Sequence, residues 1–303
     1  MEQTFYSNGK LLITGEYLVL DGAIGLALPT KFGQYLNVAS GEIEKIQWTS
    51  FDSDNTVWFE DALSYNEIIN FNATDQISER DTLIKILHEA HLLNTRLLNS
   101  STGFTISTVL TFPKFWGLGT SSTLINNIAQ WFEVDAFQLL KNSFGGSGYD
   151  IACAQNNTPI LYQLINGLPM VKKVNFNPNF TDCIYFVYLN KKQSSKTAID
   201  NYYKNQKNLM ANFPLINEIT TAVLDSNSVE EFMTLVNEHE EIMSVILEIP
   251  TVKERLFSDF DGSIKSLGAW GGDFVMVVSK NNPTSYFENK GFKTIVAYMD
   301  MIL

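Results

Sequence analysis

The chain has little cysteine, histidine or arginine: two, three and three residues respectively among 303. Cys153 and Cys183 each lie inside an apolar stretch, and neither has a C-x-x-C neighbour. A disulfide framework and a cysteine zinc site are therefore excluded, and buried free thiols are expected. With only Arg80, Arg96 and Arg255 available, no bidentate guanidinium clamp for a phosphorylated ligand stands out. No run of about 18 apolar residues occurs, which removes a membrane-spanning helix. The opening Met1-Glu2-Gln3-Thr4-Phe5 lacks the basic region and apolar core of an export signal, so the expected location is cytoplasmic. Basic charge is also scarce. Lys and Arg total 21 against 33 Asp and Glu, a net charge of −12, which argues against a general binder of nucleic-acid backbones. Any anionic ligand must be held locally, by lysines, backbone amides or a metal.

The composition is that of a soluble globular protein with substantial cores, 45% hydrophobic and 18% charged, without repeats or low-complexity tracts. Residues 6–38 read as strands broken by glycines, including Leu11-Leu12-Ile13 and Tyr17-Leu18-Val19-Leu20, with Asp21-Gly22 as a tight turn. Apolar spacing at Leu83, Ile84, Leu87 and Ala90 predicts an amphipathic helix over 81–98. A strand over 104–110 precedes helices over 122–132 and 135–142. Strands follow over 160–164, 171–176 and 182–189, then a mostly helical section over 196–257, and a glycine turn and strand over 268–279. Strands and helices mix without regular βαβ alternation, so the class is α+β. Turn residues at Asn166-Gly167 and Asn177-Pro178-Asn179 suggest a boundary, giving expected domains of 1–170 and 171–303.

Four glycine-rich points carry candidate chemistry. The segment Pro113-Lys114-Phe115-Trp116-Gly117-Leu118-Gly119-Thr120-Ser121-Ser122 opens a helix, where free backbone N–H groups and the helix dipole favour an anion such as a nucleotide phosphate. It is neither a Walker sequence nor a dinucleotide fingerprint, and alone it is equally an ordinary helix start. In Gly9-Lys10-Leu11 a lysine begins an apolar strand; it is either a surface lysine or a cation aimed at a phosphate. Asp150 lies in Gly148-Tyr149-Asp150-Ile151-Ala152, either as a first-turn acid or as a general base with apolar flanks. Gly268-Ala269-Trp270-Gly271-Gly272-Asp273 permits close backbone approach, or is a plain turn.

Together and in this order, these segments resemble the GHMP kinase superfamily. Residues 113–122 look like its phosphate-binding signature P-x-x-x-G-L-G-S-S. Gly9-Lys10 with Gly15-Glu16-Tyr17 resembles the first motif, residues 268–273 the third, and Ser147-Gly148-Tyr149-Asp150 the S-G-x-D that carries the catalytic aspartate. The resemblance is nearest to mevalonate and phosphomevalonate kinases, and the Gly-Tyr-Asp-Ile-Ala run suggests a distinct bacterial branch. It implies an N-terminal ribosomal-protein-like α+β domain and a C-terminal ferredoxin-like α+β domain.

The implied activity is ATP-dependent transfer of the γ-phosphate to a small molecule with a hydroxyl or phosphate acceptor, mevalonate or phosphomevalonate first. The implied roles are Asp150 and Lys10 in catalysis; Gly117, Leu118, Gly119, Thr120, Ser121 and Ser122 around ATP; and Ser121 on Mg²⁺. Glu16, Tyr17, Ser147, Gly148, Ser195, Lys196, Thr197, Gly271, Gly272 and Asp273 would line the acceptor site. The expected partner is thus a small molecule, with no nucleic acid or membrane, and the resemblance leaves room for a homodimer. Two departures stand out. Trp270 replaces a glycine of the third motif, where it would crowd or reshape the pocket. The position of the Mg²⁺-binding glutamate of mevalonate kinases, about three helical turns before the aspartate, falls on Leu139 and Leu140. Two alternatives stay open: an ATP-dependent decarboxylase of the diphosphomevalonate type, and a non-catalytic ligand-binding relative.

Overall fold

The computed structural model describes residues 2–72, 78–100, 102–192, 202–203 and 213–303. In chain order its strands are β1 (Gln3–Leu12), β2 (Gly25–Gly41), β3 (Lys45–Phe51), β4 (Val57–Ser64), β5 (Gly103–Leu110), β6 (Ile160–Ile165), β7 (Leu168–Lys173), β8 (Ile184–Tyr188), β9 (Ser263–Ser266), β10 (Phe274–Val278) and β11 (Ile295–Ala297). The α-helices are α1 (Tyr65–Ile69), α2 (Glu79–Leu93), α3 (Thr120–Phe132), α4 (Ala136–Ser143), α5 (Tyr149–Ala154), α6 (Phe213–Asp225), α7 (Val229–Leu247), α8 (Val252–Leu256), α9 (Thr284–Asn289) and α10 (Tyr298–Met301). The α+β class expected from the sequence is observed. The chain forms two compact units that interleave in sequence. Unit 1 holds Met1–Gly9, Phe32–Lys114 and Leu118–Gln155; unit 2 holds Lys10–Lys31, Phe115–Gly117 and Asn156–Leu303.

In unit 1 the strand order is β4-β3-β5-β2, with β3 and β5 parallel and the other neighbours antiparallel. Alternation along β5 turns Ile106, Thr108 and Leu110 inward. Ile106, with Leu36, Val38, Ile46 and Trp48, meets a helical layer that supplies Leu83, Leu87, Ile125, Ile128, Phe132 and Leu139. Each such fully buried side chain contributes about 1.5–3 kcal/mol relative to exposure. The predicted helix over 81–98 is α2. It starts at a capping box formed by Ser78 and Asp81, and stops at Leu93, since Asn94 turns to extended backbone and donates through Nδ2 to the Phe132 carbonyl at 2.7 Å.

Unit 2 contains the pairing of the first part of β2 with β6, and of β6 with β7. It also contains an antiparallel sheet of order β11-β8-β10-β9. β10 is buried at every position, which explains its unbroken Phe-Val-Met-Val-Val run. One core gathers Val187, Phe257, Val275, Val277 and Phe287; another gathers Tyr17, Leu18, Tyr202, Ile216, Met243 and Trp270.

Several local expectations change. Leu18-Val19-Leu20, read as strand, form with Asp21 a 3₁₀ turn closed by Gly22 in the left-handed region, because Tyr17 itself takes φ of 61° and breaks the extended run. β7 covers 168–173 and not 171–176. Lys10 lies near the end of β1 and not at its start. Cys153 is a buried thiol as expected, whereas Cys183 is only partly buried. No helix among the described residues is long and apolar enough to cross a membrane.

Candidate active site

Helix starts among the described residues differ in how their first-turn amides are met. α1, α2, α4, α7 and α8 are capped by the side chains of Ser64, Ser78, Asp135, Ser228 and Thr251, each accepting from an amide of the first turn. α3 and α5 are preceded instead by Gly119 (φ 101°) and Gly148 (φ 88°), with no side-chain cap. These two starts belong to the phosphate-loop and S-G-x-D motifs. A glycine cap leaves the first-turn amides of α3 open to an outside anion, at the positive end of the helix dipole. The structure begins α3 at Thr120, two residues earlier than the sequence suggests, so Thr120, Ser121 and Ser122 form that first turn.

The side chains of the loop divide the work. Ser121 is exposed. Ser122 is buried and donates to the Gly119 carbonyl at 2.9 Å. Leu118 is fully buried. Ser122 and Leu118 thus have backbone alone to offer a ligand, and the role expected of them in holding ATP is one for their amides.

α3 itself is held by a buried polar chain within unit 1. Thr123 donates to Gln34 Oε1 at 2.8 Å, Asn127 Nδ2 to the Gln34 carbonyl at 2.9 Å, and Ser7 Oγ to Asn127 Oδ1 at 2.7 Å. Asn126 Nδ2 donates to Ser7 Oγ at 2.8 Å, and Gln155, at the end of α5, donates to Asn126 Oδ1 at 3.0 Å. Every member is matched, so the network fixes α3 and α5 against β1 and β2 without the cost of unpaired buried groups. Asp150 stands in the first turn of α5, partly buried, with its Oδ1 accepting from the Ile151 amide at 3.1 Å. Ser147 is partly exposed and Gly148 buried beside it.

In unit 2, Lys10 Nζ donates to the carbonyl of Gly117 at 2.9 Å. Gly117 takes φ of 71°, and a Cβ added to it would stand 2.4 Å from Cγ of Asp273. Lys10, Gly117 and Asp273, drawn from three motifs far apart in sequence, therefore converge on one point. Asp273 is itself in the left-handed region, at φ 52°, anchored by its amide to the Lys191 carbonyl (2.7 Å) and by its carbonyl to the Leu189 amide (2.8 Å). Gly271 is partly exposed and Gly272 buried in the same turn.

Two residues expected at the acceptor are buried. Glu16 is fully buried and forms a hydrogen-bonded ion pair with Lys265, which leaves it no route to an outside ligand. Tyr17 is buried as well. Its hydroxyl accepts from the Trp270 amide at 3.0 Å, and its ring stacks on Tyr202 at 5.5 Å. Trp270 fills the core around Tyr17, Ile216 and Met243, so its bulk goes inward and does not crowd a ligand site. Ser195, Lys196 and Thr197 lie outside the described residues. Leu139 and Leu140 are buried in the core.

Sequence reasoning missed Lys265, His239 and Glu240. Lys265 carried one signal, a lysine inside a strand directly before a glycine-rich motif. Glu240 and His239 lie in the acidic run of α7, where pattern gives no hint of burial.

The sequence matches no protein-family model and no curated protein. Solved structures do match over nearly the full length. The mevalonate kinase of Methanococcus jannaschii superposes with a TM-score of 0.71 at 16% identity, covering 97% of this chain and 96% of that one. The Streptococcus pneumoniae phosphomevalonate kinase, solved with phosphomevalonate and AMPPNP, gives 0.67 at 15% identity over 97% and 99%. The Lactococcus lactis galactokinase, solved with galactose, gives 0.66 at 12% over 95% and 88%. The chain has the GHMP kinase fold.

Proposed function

We propose that this protein is an ATP-dependent small-molecule kinase of the GHMP type. The observation that carries the reading is the glycine-capped mouth of α3, whose first-turn amides have no side-chain cap. Phosphoryl transfer asks for positioning and charge neutralisation more than for covalent help. The first-turn amides of Thr120, Ser121 and Ser122 would hold the triphosphate. Lys10 would neutralise charge on the transferred group, and Asp150 would accept the proton of an acceptor hydroxyl.

Among the described residues, no cluster of three or more His, Cys, Asp or Glu side chains suits a metal. The donor set fits Mg²⁺ carried mainly by ATP phosphates and water, with the exposed Ser121 hydroxyl as protein ligand, since Mg²⁺ keeps several waters in such sites. Bound there, the ion would spread the charge of the β- and γ-phosphates.

Mevalonate and phosphomevalonate are the first acceptors to test, as the neighbours' substrates. The test is ADP release from Mg·ATP with mevalonate, phosphomevalonate, diphosphomevalonate or galactose, with CO₂ followed in parallel. Acceptor-dependent ADP release without CO₂ supports the kinase. ADP with stoichiometric CO₂ from a diphosphorylated acceptor supports a decarboxylase, and failure to bind Mg·ATP by calorimetry contradicts both.

A further inference from the structure

Unit 2 buries four titratable side chains in one cluster, none of them assigned a part in phosphoryl transfer above. Glu16, His239 and Lys265 are wholly inaccessible and Glu240 nearly so. Lys265 Nζ bonds Glu16 Oε1, donates to the Ser266 carbonyl at 3.1 Å and lies 3.6 Å from Glu240 Oε1. Ser266 Oγ donates to Glu240 Oε2 at 3.1 Å. His239 Nε2 accepts the Gly15 amide at 3.0 Å, so its proton is on Nδ1; burial pushes its pKa well down and it is neutral. Its 3.4 Å approach to Glu16 Oε2 is therefore a packing contact and not an ion pair.

A buried cluster of this kind is often no more stable than apolar side chains of the same volume, and so stability does not account for it. Its placement does. Glu16 and Gly15 belong to the turn that follows β1, the strand carrying Lys10. Lys265 and Ser266 end β9, immediately before the turn carrying Asp273. Gly15 has no room for a side chain: it takes φ of 83°, and a Cβ there would stand 2.8 Å from the Ile24 carbonyl oxygen.

We propose that Glu16 and Lys265, with His239 and Glu240 around them, form a buried brace that locks the first and third glycine motifs together, so that Lys10 and Asp273 are held at Gly117. These are positioning residues. They touch no substrate, and their effect on turnover rests on the kinase reading above.

The test compares wild type with Glu16→Gln, nearly isosteric and uncharged, and with Lys265→Met should the first variant fold poorly. Two readouts are taken: hydrogen exchange of peptides spanning 11–20, 264–275 and, as control, 120–132; and steady-state kinetics with Mg·ATP. The brace predicts faster exchange in both motif segments and not in the control, with kcat reduced at least tenfold and the KM for ATP within twofold. Faster exchange confined to 11–20, or equal in all three segments, overturns it, as does an unchanged kcat in an active enzyme. If wild type turns over no acceptor, the kinase reading fails, while the exchange result still decides the brace.

Discussion

At the residue scale, conformation and burial decide which side chains can meet a ligand. Gly117 shows this most sharply, because both its positive φ and the Asp273 carboxylate against it forbid a side chain. Gly117→Ala should lose about 1–3 kcal/mol of stability, read by denaturant unfolding, and displace Asp273 from the loop. Glu240 makes a prediction about pH. Burial raises its pKa from 4.5 to about 7, with Lys265 opposing the shift. The folded state then binds more protons than the unfolded between those values, so this group's contribution to stability declines as pH rises from 4.5 to about 7. Glu240→Gln should remove that decline: its stability relative to wild type should be greater at pH 8 than at pH 5, by chemical denaturation. A constant difference across this range would contradict the assignment.

At the scale of elements, the glycine motifs were legible in the sequence because they act through backbone. A glycine between a strand and a helix implies a positive φ and an uncapped helix start, and Gly119 and Gly148 supply both. α2 and α4 were legible from apolar spacing and from polar residues at their starts. The turn at 18–21 was not, since Leu18-Val19-Leu20 looks like strand until Tyr17 adopts its left-handed conformation. Nor was the chain of Ser7, Gln34, Thr123, Asn126, Asn127 and Gln155, whose members lie up to 148 residues apart and share no motif. That chain predicts a specific defect. Thr123→Val removes the donor to buried Gln34 Oε1 and should cost about 1–3 kcal/mol. The KM for ATP should rise, because the start of α3 loosens. Ser78→Ala, which uncaps α2, should cost about 1 kcal/mol and leave the kinetics alone.

At the scale of the whole molecule, the α+β class and GHMP fold were within reach of the sequence, since four short motifs in fixed order constrain nearly the whole chain. The buried cluster was out of reach. Glu16 and Lys265 stand 249 residues apart, and only the tertiary fold makes Glu16 a buried ion-pair partner and not a ligand contact. Ligand binding should show at this scale as well. Mg·ATP at a hundred times its dissociation constant should add about 2.7 kcal/mol to unfolding stability, and a chelator should abolish most of that gain.

Proton transfer proposed for Asp150 and ATP binding proposed for the mouth of α3 are separable by one variant. Asp150→Asn should lower kcat by a hundredfold or more, the range a lost general base commands, while calorimetry shows Mg·ATP binding within about twofold of wild type. Turnover retained at the wild-type rate would contradict the account.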